Sequence, residues 1–420
     1  MQTKITTLPN GLRIITNERK QLESVSLGIW INTGAAYETK EINGISHFVE
    51  HTVFKGTKSR SALQIAEEIE DVGGQNNAYT GREITAYYAK MLKNDAELAL
   101  DILAELVTCP QFPKDEIARE QDVVIQEIKQ TNDSPEEVIF DYFQEKAFSG
   151  QPVGRSILGT QENIRSFDAA ALRNYMKTHY AADNTVVCAV GNIDHDAFVK
   201  MVEKRLSAYQ PKSSFVKPEQ KYTGGFICEK RDIEQLHLIF GFEGAAYDNK
   251  KYYPLMLFST LFGGGMSSRL FQEVREKLGL VYTIYNFTHS LTHSGITGIY
   301  AGTTHDQLEK LLPVIGTEVR KIRNDLVDIK ELNRAKAQLK ASMLMALESS
   351  SSSTEVLARQ MIFFNHTIPI QETVEKIENV TLNDIRDAAN RVFSSKLTYA
   401  ALGAYKSIPD YDEVERLFHV

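Results

Sequence analysis

A chain of 420 residues exceeds what one ordinary hydrophobic core organises, so two or more domains are expected. Its composition, 42% hydrophobic and 24% charged, is that of a globular protein, and no run of 18 apolar residues exists to suggest a membrane span. A net charge of −8 without any block of Lys or Arg argues against nucleic acid or an anionic membrane as a partner.

The N-terminal residues Met1–Leu8 lack both an apolar signal core and Arg-rich character, so neither a secretory signal nor a transit peptide is expected. Three cysteines (Cys109, Cys188 and Cys228) are widely spaced and match no metal-type pattern. They read as buried thiols of a reducing compartment, which makes the expected location cytoplasmic.

Asn10-Gly11 lies between the strand-like runs Lys4–Leu8 and Leu12–Thr16, the signal of a type I′ hairpin. Val25–Asn32 reads as a further strand. A helix then follows over Gly44–Gly56, with Ile45, Phe48, Val49 and Val53 recurring at helical spacing toward a core. Its other side carries His47, Glu50 and His51. Residues four apart on a helix have Cβ atoms about 5–6 Å from each other, so His47 and His51 can share one Zn²⁺. Glu50 adjoins both and can take a proton from a metal's water. The order His-x-x-Glu-His inverts the common zinc-protease motif. On its own the pentad is equally compatible with a chance match to a short pattern.

Ser61-Ala62-Leu63-Gln64 forms a capping box that opens a second helix, ending at Gly73-Gly74. Asn76–Thr80 and Ile84–Met91 read as strands. Helices follow from Asn94 to about Val107 and from Pro113 to about Thr131. On the latter, Ile117, Val124 and Ile128 make an apolar stripe, while Glu116, Glu120 and Glu127 line another side. Such a row alone reads as a solvated face, yet a carboxylate is what a two-histidine site lacks. Helices are expected after Pro135 and over Gln161–Thr178 and Asp194–Leu206, with a strand over Thr185–Val190. The polar, Pro-containing stretch 211–225 reads as a linker between domains 1–210 and 226–420.

Beyond the linker the chain repeats itself. Gly34-Ala35-Ala36-Tyr37-Glu38 is echoed by Gly244-Ala245-Ala246-Tyr247-Asp248, Phe54 by Phe262, Leu63–Gly73 by Leu270–Gly279, and Ile84–Ala89 by Ile296–Ala301, at offsets of 206 to 212. Chance would scatter these offsets, so one domain has been duplicated. Leu255, Phe258 and Ser259 stand where the first half has His47, Glu50 and His51, and Ser342 falls near the place of Glu127. Metal chemistry is therefore expected once per chain, in the first half.

The segments Gly44–Thr57, Gly73–Thr80, Ile117–Ile128 and Arg269–Tyr282 together resemble the pitrilysin-type inverted zinc peptidases, in the two-domain branch that includes mitochondrial processing peptidase and its bacterial relatives. The resemblance covers both halves. It implies an α+β fold of two homologous domains, each a mainly antiparallel sheet with helices packed on one face. It implies one Zn²⁺ per chain held by His47, His51 and Glu127, with Glu50 as general base and Glu120 supporting the ligands. It also implies that Asn77 and Ala78 lie on an edge strand receiving peptide, and that Arg275 and Tyr282 reach the substrate from the far side of a chamber. Two chains, as a homodimer or a heterodimer with a paralogue, close that chamber around peptide substrates. The short loop Leu261–Met266 departs from the longer glycine loop that selects presequences in the mitochondrial enzyme. The implied function is a zinc metalloendopeptidase, and the alternative is a non-catalytic or peptide-binding subunit of a heteromeric peptidase.

Overall fold

The structure is a computed structural model that describes residues 3–405 and 408–419. In chain order the first elements are β1 (Thr3–Thr7), β2 (Arg13–Glu18), β3 (Ser24–Ile31), α1 (Ile45–Val53), α2 (Ala62–Glu70), β4 (Gln75–Thr80) and β5 (Thr85–Leu92). Next come α3 (Ala96–Thr108), α4 (Lys114–Asp133), α5 (Pro135–Ala147), α6 (Gln161–Ser166), α7 (Ala169–His179), β6 (Thr185–Gly191) and α8 (His195–Leu206). After an irregular stretch follow β7 (Gly225–Lys230), β8 (Leu236–Glu243), α9 (Tyr252–Gly263), β9 (Thr283–Ser290), β10 (Gly295–Thr303), α10 (His305–Asn324) and α11 (Ile329–Glu348). The last are α12 (Ser350–Phe364), α13 (Ile370–Glu378), α14 (Leu382–Phe393), β11 (Thr398–Gly403) and α15 (Tyr411–Phe418). Among the described residues no helix is long and apolar enough to cross a membrane.

The chain forms two compact units. Among the described residues, the first draws on 1–129, 155–218 and 345–367, and the second on 130–154, 219–344 and 368–420. The units are therefore not consecutive stretches of sequence: α5 belongs to the second and α12 to the first. The first sheet runs β1-β2-β6-β3-β5-β4 and the second β7-β11-β8-β10-β9. Setting β1 aside, corresponding strands hold the same places. In each sheet all pairs are antiparallel except one, β2 with β6 and β7 with β11. The shared topology is what a duplicated domain retains.

Strand alternation explains why both faces of each sheet are apolar. On β3, Val25, Leu27, Ile29 and Ile31 join the core beneath α1, α3 and α8, and on β6 so do Val187 and Ala189. Trp30, Val186, Cys188 and Val190 point the other way, where Ala358, Met361 and Ile362 of α12 cover them. In the second unit, the helix layer with Phe258, Phe262 and Phe393 packs on one face of the sheet. α5 covers the other face, with Phe143 so close to Gly241 that a Cβ there would lie 2.0 Å from the ring. The helix layer on one face is as expected. The single helix on the opposite face is an addition that no periodicity announces.

Local expectations differ from the structure at two points. The β1–β2 hairpin forms, but Leu8 N–H donates to Leu12 O at 2.9 Å across Pro9-Asn10-Gly11, a three-residue loop with Gly11 at φ +93° in place of a two-residue type I′ turn. The helix read over Gln161–Thr178 is two helices. Asp168 breaks it by capping α7, its Oδ1 accepting from Ala171 N–H at 2.8 Å. The capping box at Ser61 and Gln64 is present as read. All three cysteines are free, with Cys188 buried and Cys109 and Cys228 only half-buried.

α1 carries the first unit's core with Phe48 fully buried and its ring 5.8 Å from that of Phe167. Phe48→Ala is expected to lower stability by about 3–5 kcal/mol, because the packed surroundings cannot collapse into the vacated volume. Urea unfolding followed by circular dichroism measures this, and a change below 1 kcal/mol, roughly the cost of a trimmed surface group, would contradict the packing described.

Candidate metal centre

α1 begins abruptly. Gly44 adopts φ 98°, where Leu158 and Gly159 would meet any Cβ at 2.8 Å. The buried carboxylate of Glu38 accepts from Gly44 N–H at 2.7 Å, Ser46 N–H at 2.8 Å and Asn43 Nδ2 at 2.9 Å. The Gly44 and Ser46 amides are among the helix's unsatisfied N-terminal donors, and a negative charge belongs at that end. Ser46 Oγ lies 2.6 Å from the Tyr175 hydroxyl, tying α1 to α7. Sequence reasoning did not single out Glu38, because the contact depends on a loop folding back.

With the helix so placed, His47 and His51 lie along one side and meet edge-on, their ring centroids 4.6 Å apart. α4 brings Glu127 to them: its Oε2 lies 3.7 Å from His47 Nε2 and 3.6 Å from His51 Nε2. One atom from each of these three side chains falls within 4.8 Å of the others, the one such group of potential metal ligands among the described residues. Ligand atoms around a tetrahedral zinc with bonds of about 2.0–2.1 Å are separated by roughly 3.4 Å. The donor set therefore fits a divalent cation with little movement.

Glu120, two turns earlier on α4, supports the site. Its Oε2 lies 3.1 Å from His51 Nδ1 and its Oε1 accepts from Lys55 Nζ at 2.7 Å. A His51 that donates from Nδ1 presents the Nε2 lone pair toward Glu127, the tautomer a ligand needs. Lys55 was not anticipated: it lies two residues beyond the end of α1, where helical spacing no longer applies.

The electrostatics follow from burial and from three carboxylates. Burial, and then the neighbouring His51, push His47 down to about 3, so it is neutral and able to ligate. Burial disfavours a charged His51 as well, but the Glu120 hydrogen bond, Glu127 and Glu50 outweigh it and raise its pKa. Burial opposes ionisation of Glu120, but His51 and Lys55 outweigh it and hold this carboxyl below the ordinary range. Burial raises Glu50 against the lowering effect of the Thr80 hydroxyl and His51, and its Oε2 is enclosed with no hydrogen-bond partner among the described residues. His47 Nδ1 is likewise buried and unpartnered. Carboxylates gathered around two imidazoles suit a bound cation.

Asn77 and Ala78 lie on β4, the edge of the first sheet, where Ala78 N–H donates to Asn77 Oδ1 at 2.8 Å. Ala78 packs toward the α1 side, and Thr80 reaches Ser46 O of α1 at 3.5 Å. Arg275 and Tyr282 belong to the second unit. Arg275 sits in a wide-wound helical stretch, Phe271–Lys277, with its guanidinium 4.7 Å from the Phe271 ring centre. Tyr282 is 75% exposed.

Residues 13–161 match the model of the insulinase family (peptidase family M16), and residues 166–339 match that of the M16 inactive domain. An uncharacterized zinc protease of Rickettsia felis is 40% identical over 95% of this chain and 97% of its own length. The uncharacterized zinc protease YmxG of Bacillus subtilis is 36% identical over 96% and 98%. A probable mitochondrial-processing peptidase subunit beta of Arabidopsis thaliana is 32% identical over 99% of this chain and 81% of that protein. A protease from Helicobacter pylori shares the fold, with a TM-score of 0.89 over 96% of this chain and 99% of that one, at 22% identity. With His47, Glu50, His51 and Glu127 inside the segment that matches the peptidase model, and a ligandless repeat running into the inactive-domain match, this chain belongs to the insulinase peptidases, family M16.

Proposed function

We propose that the chain is a zinc-dependent endopeptidase of the inverted-motif class, using one Zn²⁺ held by His47, His51 and Glu127. The observation that carries the reading is the convergence of those three side chains beside Glu50, whose buried Oε2 has no hydrogen-bond partner among the described residues. Zinc, when bound, supplies a Lewis acid that polarises a carbonyl and acidifies water. Glu50 takes the proton of the attacking water and returns it to the leaving amine. Glu120, anchored by Lys55, keeps His51 in the ligating tautomer. An extended peptide adds to the edge of β4 at Asn77 and Ala78, so its backbone is held by a strand next to α1.

Arg275 and Tyr282 complete the site from a second chain, either a copy of this one or a paralogue, and Tyr282 donates to the oxyanion. The substrates are peptides or unfolded segments admitted to a closed chamber in the cytoplasm. A quenched fluorescent peptide should be cleaved by zinc-loaded protein, remain intact after chelation and be cleaved again when zinc is restored. Cleavage that ignores the chelator sinks the metal reading, and binding without cleavage points to a peptide-binding subunit.

The second chain's role has its own test. Co-expressed Glu50→Gln and Tyr282→Phe chains, each inactive alone, should recover part of the activity as a heterodimer, because one site then has an intact zinc half and an intact Tyr282. A verified heterodimer with no recovery refutes a site shared between chains.

A further inference from the structure

Outside the metal centre, the first unit holds a cavity of about 410 Å³ on the sheet face opposite α1, beneath the N-terminal turns of α12. Its walls include Trp30, Tyr79 and Tyr88 from the sheet, and among the described residues Glu355 is the only charged side chain that lines it. Glu355 Oε2 accepts from Trp30 Nε1 at 2.7 Å, and Oε1 accepts from the Tyr79 hydroxyl at 2.6 Å. Arg359 approaches the same Oε1 at 3.5 Å from the next turn of the helix and is not a lining residue. A carboxylate has about four acceptor positions, so this one keeps capacity for a further donor.

The second unit serves as an internal control. α5 lies over β8 and β11 as α12 lies over β3 and β6. The repeat aligns Tyr88 with Tyr300. Strand pairing aligns Tyr79, opposite Ala86, with Phe287, opposite Gly298. There the Phe140 ring stacks on Tyr300 at 5.8 Å and meets Phe287 edge-on at 5.3 Å. One copy of the duplicated device has been filled with an aromatic ring, while the other keeps a carboxylate facing open space.

The location gives that space a use. Successive residues of β4 face opposite sides: Ala78 and Thr80 point toward α1, and Tyr79 points into the cavity wall. A peptide paired to the β4 edge alternates in the same way, with cross-strand Cβ neighbours about 4.5–5.5 Å apart. Every second side chain therefore projects to the face of Tyr79, and the one opposite it lies beside its ring. A long one passes over the Tyr79 ring to Glu355, with the aromatic wall favouring a cation and the carboxylate pairing with it.

We propose that the Trp30–Tyr79–Tyr88–Glu355 cavity is a subsite that receives a lysine or arginine side chain of the peptide strand lying on β4. It rests on the edge-strand placement of substrate given above, and selects peptides with a basic residue at one fixed register.

Trp30 is the only tryptophan of the chain, so its emission reports on the cavity directly and without cleavage. Zinc-loaded Glu50→Gln protein is titrated with neutral decapeptides in which one lysine is walked through the sequence, each against its norleucine counterpart. At one register, lysine should perturb Trp30 emission and bind on the order of tenfold more tightly than norleucine, the effect of one charge-assisted hydrogen bond. Adding Glu355→Gln should reduce that preference to about twofold or less. Ser351→Phe, at an exposed lining position whose hydroxyl lies 3.0 Å from Ser26 Oγ, should do the same by occupying the cavity, and decides the question if Glu355→Gln fails to fold. Equal affinity for lysine and norleucine at every register overturns the proposal, as does a preference that survives Glu355→Gln. Because binding is read at Trp30, these results stand even if the wild-type chain cleaves nothing.

Discussion

Glu50→Gln is expected to keep zinc and fold while losing about 10²–10⁴-fold in peptide turnover. The substitution preserves shape at a half-buried position of α1, so His47 and His51 on the same helix keep their places. What it removes is basicity: an amide oxygen accepts a hydrogen bond but does not take a proton at neutral pH. Glu120 cannot substitute, since both of its oxygens are engaged, by His51 and by Lys55. Glu127 faces both imidazoles and is assigned to the metal. Metal analysis beside steady-state kinetics on one preparation makes the measurement. Zinc retained with near-wild-type turnover would mean that another group activates the water.

Glu127→Gln should instead empty the site. Its carboxylate is the negative member of a donor set whose other two members are neutral imidazoles, so the amide weakens both coordination and charge balance. The side chain is 39% exposed, and its loss leaves the stripe of Ile117, Val124 and Ile128 under α4 intact. Zinc per chain after reconstitution and dialysis is expected to fall from one equivalent to a small fraction, with an unchanged circular dichroism spectrum. Unchanged zinc content would remove Glu127 from the ligand set. The two variants separate cleanly, because one loses chemistry with metal present and the other loses the metal.

His47, Glu50 and His51 could be read from the sequence because helical periodicity alone brings residues four apart together, whatever the rest of the chain does. The same holds for the capping box at Ser61 and Gln64, whose partners are three residues apart. The duplication was legible too, since equal offsets survive divergence of side chains, and the paired sheet orders agree with it. Long-range meetings are of another kind. Periodicity put Glu120 and Glu127 on one side of α4, but not that side against α1, and only a resemblance linked them to the histidines before the fold brought them together. Glu38 at the start of α1 and Lys55 beside Glu120 had no periodic signal. Nor did the coverings of the two sheets: the apolar run of β6 requires both faces to be buried, and nothing local names the helix that does it. α12 covers the first sheet and α5 the second because packing rewards whichever apolar face fits, regardless of its distance along the chain. The cavity beside Glu355 exists only through that choice, which is why no stretch of sequence announced it.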